Sequence, residues 1–450
     1  MSKMYEGTNV IEMPNRYFTR NYQGQLKFNH HLVKDEILED HPIYRTDIGI
    51  VRYENGVYKR STQGDILHLI QTKIGKEATV SRKQEILDLI LHEHKAKPLS
   101  EFNNGVPILN LKNGIYSLQT KSIVPHSKFF HWTIQHPVSY DPEAKCPAIL
   151  EFLHDIFDED GVQFVIEWLA YCCLPFTDTD KILFFLGKGG NGKSTLQNIL
   201  KCFLGVDNVT NMSLKDLTED KFAKAHLYGK LANICGDIDS QVINNTGVLK
   251  NLTGGEPIYG QFKGLDGFSF QSFAKLIFSA NELPMSTDKT HGYFRRIFIL
   301  PFEKHLPEEK KISRSTLDKR LTDSKELSGL LNLVLKAMDK LKANDYQFTV
   351  PEAAKRALEQ YKYTHDKTQQ FINEHFNVDK LDNTMKTTLK HFYHAYKDWC
   401  RENEVYPEKK LKIQEQLKEK GFVVKQGAGN KMFVYGLIFK DTSDYFIKTV

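Results

Sequence analysis

The stretch KILFFLGKGGNGKSTLQNILKCFL, residues 181–204, decides the fold of this 450-residue chain. Its first part, ILFFL, is a continuous apolar run typical of a strand buried on both faces, and STLQNILKCFL has apolar residues at helical spacing. Between them lies GKGGNGKS, which matches the pattern G-x-x-x-x-G-K-[ST] in the strand–loop–helix setting that this pattern requires. The stretch therefore predicts a phosphate-binding loop between a buried strand and a helix.

The residue types of this loop suit a nucleoside triphosphate. Glycines let successive backbone N–H groups converge on phosphate oxygens, and the N-terminus of the next helix adds positive potential. Lys193 is expected to reach the β- and γ-phosphates, and the Ser194 hydroxyl to coordinate Mg²⁺, so the predicted cofactors are ATP and Mg²⁺. The competing interpretation, a glycine-rich turn without a ligand, is disfavoured by the flanking strand and helix. The predicted binding residues are Gly187, Gly189, Gly190, Asn191, Gly192, Lys193, Ser194 and Thr195.

Two further apolar runs end on polar side chains. LANICGDID places Asp237 at the end of a buried strand and Asp239 two residues later, where a carboxylate can hold Mg²⁺ and polarise an attacking water. Asp237 is the favoured metal ligand, but the division of roles between the two stays open, and a turn or helix-cap aspartate is the alternative. KLIFSAN ends on Asn281, whose amide can orient the attacking water. These three side chains and Lys193 are predicted to be catalytic.

Two arginines, Arg295 and Arg296, stand directly before the apolar run IFILPF. The planar fork of a guanidinium donates two hydrogen bonds at once, which suits the charge spread over phosphoryl oxygens in a transition state. One of the two is expected to be an arginine finger, a group that can act across a subunit interface. The other is expected to be an ordinary surface arginine, and the sequence does not decide between them.

The pattern along the chain predicts an α/β core between two other regions. Strand and helix signals alternate from Asp180 onward, which indicates a largely parallel sheet. Before it, hairpin signals at Asn55-Gly56 and Asn113-Gly114 alternate with helical patterns, and the prolines of PVSYDPEAKCP mark a boundary. The last seventy residues have the helix–helix–β-ribbon outline of a winged helix. The predicted domains are an α+β region at 1–145, the motor with its preceding helices at 146–345, and a helical linker with the winged helix at 346–450.

Lysine is concentrated near the C-terminus. The net charge of +5 is too small to imply nucleic acid by itself, but eight lysines and only two acidic residues lie between Lys409 and Lys440. In a winged helix, residues 409–420 would form the recognition helix and residues 426–430 the wing tip, with Leu411, Leu417 and Phe422 in the core. A solvated charged helix face is the alternative. The lysines predicted to contact DNA here are Lys409, Lys410 and Lys412.

Other patterns limit the class of protein. The six cysteines are scattered without a CxxC pair, which disfavours a disulfide scaffold and a zinc ribbon. No apolar run reaches the roughly 18–20 residues needed to span a bilayer, and the N-terminus lacks the apolar segment of a signal peptide. We therefore expect a soluble, multidomain protein of the cytoplasm, with no membrane partner.

The order of the motifs resembles that of superfamily 3 helicases. GKGGNGKST is followed by GKLANICGDID, VLKNLTGGEPIYGQFKG, KLIFSANELP and GYFRRIFILPF, and the set looks most like the phage, plasmid and poxvirus primase–helicase branch. The resemblance covers roughly residues 100–450. It implies an AAA+-like P-loop motor that assembles as a ring, commonly a hexamer, around DNA. It also implies that ATP lies between subunits, with Arg295 or Arg296 supplied in trans.

The same resemblance implies a DNA-gripping hairpin between the acidic strand and the strand that ends on Asn281. By position, Gln261–Phe270 fits this hairpin, with Lys263 near its tip and Phe262 or Phe268 beside it. Lys250 is a second candidate for DNA contact. The alternative for Lys263 is a solvated turn lysine.

The leading interpretation is an ATP-dependent DNA helicase, moving 3′ to 5′ on one strand, that replicates a phage, plasmid or mobile element in a bacterial host. The alternative is an origin-binding initiator in which ATP controls assembly and DNA melting without processive unwinding. A small-molecule phosphotransferase is disfavoured by Asn281, the paired arginines and the basic C-terminal region. Expected partners are single-stranded and duplex DNA, further copies of the chain and host replication proteins. Residues 1–145 are expected to form a collar, docking or loading module, because they are too few for a primase domain plus a collar.

Overall fold

The computed structural model describes residues 16–104, 107–236, 238, 242–243, 245–264, 266–304 and 313–440. The chain forms an N-terminal module, an α/β core with flanking helices, and a C-terminal module, each with a hydrophobic cluster of its own. The hairpin signals, the alternating strands and helices, and the C-terminal β-ribbon of the sequence correspond to these three parts in that order.

The N-terminal module combines small antiparallel sheets with three helices. Its hairpin turns at Asn55 and Gly56, whose φ angles of 50° and 88° confirm the predicted tight turn. Isoleucines at four-residue spacing fill the space between the helices: Ile66, Ile70, Ile86 and Ile90. The elements are β1 (Phe18–Arg20), β2 (Leu26–Phe28), α1 (His30–Asp40), β3 (Ile43–Thr46), β4 (Gly49–Glu54), β5 (Val57–Ser61), α2 (Gln63–Ile74) and α3 (Val80–Glu93).

A further antiparallel sheet and two helices connect this module to the core. The second predicted hairpin is present, but its turn is at Lys112-Asn113, one residue earlier than predicted, because Gly114 already pairs with Leu111. The largest hydrophobic cluster begins in this sheet at Ile108 and extends through the α/β core to Leu341, so the sheet packs against the core rather than away from it. The elements are β6 (Ile108–Leu111), β7 (Gly114–Ser117), β8 (Ser122–Val124), α4 (Pro147–Ile156) and α5 (Glu159–Cys172).

The core contains a five-stranded sheet in the order β10-β11-β14-β9-β15, and every pair is parallel, as predicted. Its central strands are buried on both faces, which explains their continuous apolar sequences. This sheet is compatible with an α/β ATPase-like core. The elements are β9 (Ile182–Leu186), α6 (Lys193–Leu204), β10 (Val209–Thr210), α7 (Leu214–Glu219), α8 (Lys221–Ala225), β11 (Ala232–Cys235), α9 (Thr246–Thr253), β12 (Pro257–Gln261), β13 (Gly267–Gln271), β14 (Lys275–Ala280), α10 (His291–Phe294), β15 (Ile297–Pro301), α11 (Arg314–Leu321) and α12 (Ser324–Ala343).

The predicted hairpin is formed by β12 and β13, which pair antiparallel from Pro257–Gln271 to Gln261–Gly267. It stands outside the parallel sheet, between β11 and β14 in sequence. Phe262 and Phe268, near its tip, pack against the hydrophobic cluster of the N-terminal module. The hairpin is therefore in contact with both the core and the N-terminal module.

The C-terminal module has its own core of aromatic and aliphatic side chains. The prediction that Leu411 is buried is wrong: its relative exposure is 76%, whereas Ile413 and Leu417, one helical turn apart, are buried. The helix that precedes residues 409–420 begins at Leu389, directly after a short strand at residues 386–388. The elements are α13 (Glu352–His365), α14 (Lys367–His375), β16 (Phe376–Val378), β17 (Lys386–Thr388), α15 (Leu389–Glu402), α16 (Lys410–Glu419), β18 (Val424–Gln426), β19 (Met432–Tyr435) and β20 (Leu437–Phe439).

No helix within the described ranges has both the length and the apolar character needed to cross a bilayer.

One buried histidine links the β6–β8 sheet to the core. The backbone of His136 forms an isolated parallel β-bridge with Leu111, and its ring centroid lies 6.5 Å from that of Phe203 on α6. Its Nδ1 has no hydrogen-bond partner among the described residues. Burial lowers the pKa of His136 from its ordinary value of 6.5 to about 4.

We predict that His136 makes the protein less stable in mild acid. Between about pH 6.5 and pH 4 the unfolded chain binds this proton and the folded chain does not, so the free energy of unfolding falls as the pH is lowered. The contribution of this group amounts to about 3 kcal/mol across that window. Urea unfolding at pH 7 and pH 5 should show a smaller difference for His136→Leu than for the unchanged chain. His92→Leu, at an exposed histidine, is the control, and equal differences in all three proteins would contradict the assignment.

Candidate nucleotide and nucleic-acid sites

The loop between β9 and α6 forms an open turn in which glycine is required. Gly190 and Gly192 have φ angles of 81° and 90°, a region that L side chains rarely adopt. A Cβ atom added at Gly187 would lie 2.4 Å from Nδ2 of Asn191, so the chain approaches itself closely there. Among the described residues no heavy atom lies within 4 Å of a Cβ added at Gly190. The loop is thus closed on its inner side and open on its outer side.

Lys193 begins α6 and is held against this loop. Its ammonium donates to the carbonyl oxygens of Gly187 and Lys188 and to Oδ1 of Asn191, the last two at 3.1 Å. Asn191 in turn donates from Nδ2 to the carbonyl oxygen of Phe302 at 2.8 Å, which attaches the loop to the end of β15. A cation beside free N–H groups at a helix N-terminus can bind phosphate oxygens.

The other loop residues in the predicted set differ in exposure. Ser194 is exposed in the first turn of α6, whereas Thr195 is buried. The Ser194 hydroxyl is therefore open to a ligand at the mouth of the loop. Gly189 is exposed as well.

The amide of Gln197 connects the loop helix to the carboxyl ends of two strands. Its Nε2 donates to Oγ of Ser279 at 2.7 Å and to the carbonyl oxygen of Cys235 at 3.3 Å. The backbone N–H of Gly187 donates to Ala280 O at 3.1 Å, and that of Ile238 to Ser279 O at 2.9 Å. The ends of β9, β11 and β14 therefore meet at one edge of the sheet.

The predicted polar side chains at this edge are only partly described. Asn281 follows β14 directly and is exposed beside the loop. Asp237 and Asp239 lie outside the described residues, although Ile238 between them hydrogen-bonds to the end of β14. The roles predicted for these three side chains stay predictions.

Arg295 and Arg296 share one carboxylate at the opposite edge of the sheet. Asp180 Oδ2 lies 2.5 Å from Nη2 of Arg295 and 3.2 Å from Nη2 of Arg296. Lys181, adjacent in the chain, donates to the carbonyl oxygen of Arg295 at 2.6 Å. Burial lowers the pKa of Lys181, and the charge of Arg295 lowers it further. Three cations thus surround a single aspartate.

The two arginines differ in how firmly they are held. The side chain of Arg296 is 12% exposed and also donates to Gly292 O at 2.6 Å and to Thr253 Oγ1 at 3.2 Å. The side chain of Arg295 is 48% exposed, and its ion pair with Asp180 lies partly in solvent. Arg295 is consequently the better candidate to reach a neighbouring molecule.

The distance across the sheet separates these arginines from the loop of the same chain. Ile297, the residue after Arg296, pairs with Ile182 at the start of β9. Gly187 of the loop follows the other end of β9. Five residues at about 3.3 Å each span about 16 Å. Neither arginine can therefore contact a phosphate held by its own loop.

The predicted DNA-contacting residues of the core are in two different situations. Lys263 is exposed at the tip of the β12–β13 hairpin, while Phe262 and Phe268 stack on each other with centroids 5.6 Å apart. Lys250 is instead engaged in an ion pair with Asp288 at 2.6 Å. Burial raises the pKa of Asp288, but hydrogen bonds from Lys250 and Thr290 outweigh it and hold this pKa well below its usual range.

The predicted lysines of the C-terminal module lie at the start of α16. Lys409, Lys410 and Lys412 are all exposed there, beside the exposed side chain of Leu411. Just before them, Glu408 pairs with Lys289 at 2.9 Å. This ion pair connects the C-terminal module to the segment 281–296, which carries Asn281 and the arginines.

Sequence reasoning missed the residues of α13 that hold the same segment. The hydroxyl of Tyr361 donates to Pro284 O at 2.7 Å, and Nε2 of His365 accepts from the Ser286 N–H at 2.9 Å. Because Nε2 accepts, the proton of the neutral ring is on Nδ1, which donates to Tyr361 O at 2.8 Å. The four-residue spacing of Tyr361 and His365 on one helical face was the available signal.

Two families and several viral proteins match parts of this chain. Residues 30–158 match a family described as "D5 N terminal like", and residues 185–296 match a family of unknown function, DUF5906. A protein of Acanthamoeba polyphaga mimivirus named "Putative helicase L207/L206" is 24% identical over 426 residues, which cover 87% of this chain and 42% of that protein. The helicase-named 121R of Invertebrate iridescent virus 3 is 24% identical over 330 residues, covering 65% of this chain and 34% of that protein. The chain is similar to viral proteins named as helicases.

The chain spans less than half the length of these viral relatives. Among solved structures, the apo C-terminal region of NrS-1 (305–718) matches with a TM-score of 0.55 and 14% identity, covering 90% of this chain and 98% of that one. A second apo structure of that region gives a TM-score of 0.53. At this identity the likeness concerns the fold.

We predict that Gln197→Leu lowers the free energy of unfolding by about 1–3 kcal/mol. The substitution keeps the approximate size of the side chain but leaves Ser279 Oγ and Cys235 O without their shared buried donor. Gln197→Leu combined with Ser279→Ala should recover part of the loss, since one unpaired polar group is then removed. Urea unfolding of both variants and of Ser279→Ala measures this cycle, and strictly additive losses would contradict a direct interaction.

Proposed function

We propose that this chain is the ATP-driven motor of a superfamily 3 DNA helicase that acts in replication of a virus, phage, plasmid or mobile element. The observation that carries the proposal is the meeting of the β9–α6 loop, Ile238 and Asn281 at one edge of a parallel sheet. The similarity to viral proteins named as helicases supports it. The order of sequence motifs, from the loop to the paired arginines, supports the superfamily.

The residues present fit a nucleoside triphosphate with Mg²⁺. The open outer side of the loop, the N–H groups at the start of α6 and the Lys193 ammonium provide donors and positive charge for the phosphates. Ser194 and Asp237 would hold Mg²⁺, which neutralises charge on the phosphates, and Asn281 would orient the attacking water. The role of Asp239 beside Asp237 remains open between metal ligand and water activation.

The arginine geometry supports a ring in which each ATP lies between two subunits. Because Arg295 and Arg296 are at the far edge of the sheet from their own loop, a neighbouring copy would have to supply them. Arg295 is the proposed finger, since Arg296 is tied to Gly292 and Thr253. A hexamer is the ring size that the resemblance implies.

DNA contact is proposed at two places. Lys263 at the hairpin tip would meet the translocating strand, with 3′-to-5′ movement expected from the resemblance. Lys409, Lys410 and Lys412 would meet duplex phosphates from α16, the proposed recognition helix of a winged helix. Lys250 is withdrawn from the proposal for DNA, because its charge is compensated by Asp288.

An origin-binding initiator is the second candidate function. The exposed lysines at the start of α16 favour it, because a duplex-binding module can select a site without any processive motor. The two functions differ in their substrate requirement: a helicase needs a single-stranded tail, whereas an initiator needs a particular duplex sequence.

We predict that the protein separates a labelled forked duplex in the presence of ATP and Mg²⁺, and that a 3′ tail is required. Lys193→Ala should abolish strand separation, because it removes the cation at the phosphate end of the loop. Forks with only a 3′ tail or only a 5′ tail, followed by gel electrophoresis, measure both the activity and its direction. ATP hydrolysis without separation on either fork would contradict the helicase and favour the initiator.

We predict that Arg295→Ala and Lys193→Ala complement each other when mixed. Each variant alone should lose ATP hydrolysis, about 10³-fold or more for the arginine. In a randomly mixed ring, about a quarter of the sites combine an intact loop from one subunit with an intact arginine from the next, and hydrolysis should reappear at those sites.

The matched control for this mixing experiment is Arg320→Ala. Arg320 is 54% exposed and pairs with a single carboxylate, Glu151, at 2.8 Å, so its surroundings resemble those of Arg295. The Arg320→Ala variant should hydrolyse ATP at the rate of the unchanged chain. If mixtures of Arg295→Ala and Lys193→Ala stay inactive while each variant assembles normally, the shared site is wrong.

A further inference from the structure

A cavity of about 370 Å³ lies where the N-terminal module meets the β12–β13 hairpin. One wall comes from β4, β5 and the residues around them, and the other comes from the turn after α8 and from the hairpin tip. This volume is within the range of ligand sites for small molecules. The charged and aromatic side chains that line it include those of Lys59, Arg60, Asp207, His226, Lys230 and Phe262.

Three cationic side chains converge on this cavity without an ion pair. The Arg60 guanidinium donates to the carbonyl oxygen of Ile48 at 2.8 Å, and Lys230 donates to the carbonyl oxygen of Asp207. Neither of them, nor Lys59, has a carboxylate oxygen of a described residue within 4.0 Å. Lys250 and Lys340, by contrast, each pair with a partly or fully buried carboxylate in the same protein.

Lys230 is half-buried between two side chains of opposite charge. Burial lowers the pKa of Lys230, the Asp207 carboxylate opposes this shift, and the nearby Arg60 charge adds to it. The charged form of a half-buried lysine beside a second cation is stabilised when an anion enters between them. A ligand with negative charge would therefore bind favourably.

The cavity adjoins the part of the hairpin proposed to touch DNA. The Arg60 guanidinium carbon lies 5.4 Å from the ring centroid of Phe262, and the next residue is Lys263 at the tip. The ring of His226 contacts Phe262 edge-on, with centroids 5.8 Å apart. A strand in contact with Lys263 would therefore pass close to this cavity.

We propose that this cavity binds a phosphate group, carried by the single strand of DNA that passes the hairpin, with Arg60 and Lys230 as its ligands. The inference rests on the proposed function and deepens it by adding the N-terminal module to the DNA path. The apolar wall made by Val51 and Tyr58 suits the sugar attached to such a phosphate. The module would thereby hold the strand next to the moving hairpin.

The test is the salt dependence of single-strand binding by the double variant Arg60→Gln and Lys230→Gln. The double variant loses the one phosphate that Arg60 and Lys230 hold together, so the magnitude of the slope of log K against log salt should decrease by about 0.7 on single strands. Fluorescence anisotropy of a labelled oligonucleotide from 50 to 200 mM NaCl measures the slope. Thermal unfolding checks that the variant is folded.

The matched control is the double variant Arg20→Gln and Lys128→Gln. Arg20 and Lys128 each donate to one backbone carbonyl oxygen, as Arg60 and Lys230 do, but neither of them lines the cavity. This control should keep the slope of the unchanged chain. An equal decrease of the slope in both double variants would show that net charge alone causes the effect, and it would overturn the proposal.

Two further arms separate the possible outcomes. Lys263→Ala should also decrease the magnitude of the slope. If the unchanged chain does not bind single strands at all, the proposed function fails independently of the cavity. If Lys263→Ala weakens binding but the Arg60/Lys230 variant does not, the cavity proposal alone is overturned. If millimolar inorganic phosphate raises the melting temperature of the unchanged chain but not of that variant, while DNA slopes are equal, the site binds free phosphate and its assignment to DNA is wrong.

Discussion

The hydrogen bonds of the Gln197 amide are the interaction on which the arrangement of the candidate nucleotide site depends. One NH₂ group on α6 serves acceptors on both β11 and β14, so it fixes the helix that carries Lys193 relative to the residues that follow two strands. Parallel strands bring their carboxyl ends to the same edge, but they do not by themselves fix the height of a helix above that edge. A buried amide with two acceptors does so, since displacement of the helix leaves polar groups unpaired in the interior.

A second constraint acts at the hairpin. Phe262 and Phe268 of the hairpin pack against the N-terminal module, and Tyr228 lies in the same hydrophobic cluster. The hydroxyl of Tyr228 also donates to Asp47 of that module at 2.8 Å. A hairpin that moved during an ATP cycle would have to slide these rings or carry the module with it. Packing of Phe262 and Phe268 on this module, together with the Arg60 guanidinium over the Phe262 ring, therefore couples the position of the module to that of the hairpin tip.

Much of the fold could be predicted from the sequence, because local patterns determined it. Asn55-Gly56 marks a hairpin whatever surrounds it, and continuous apolar runs such as ILFFL indicate strands covered on both faces. The errors concern contacts between distant segments. The burial of Leu411 was wrong because the inward face of α16 is set by its packing on α15, which selects Ile413 and Leu417. The partner of Lys250, Asp288, is 38 positions away, and neither residue indicates the other.

Under the proposed function, the position of the arginines gives the site a requirement that no single chain satisfies. Asp180 holds Arg295 and Arg296 at the amino edge of β9, while the loop at its carboxyl edge holds Lys193, and a rigid buried strand lies between them. Movement of a side chain cannot bridge about 16 Å, because an arginine side chain reaches less than half of that. In such an assembly, the ion pair with Asp180 would compensate the charges of Arg295 and Arg296 until a partner offered its own anion. Release of Arg295 from Asp180 to a neighbour's phosphate would then exchange one partly exposed ion pair for another of higher charge. The segment 281–296, held by Tyr361, His365 and Glu408, would transmit that exchange to the C-terminal module.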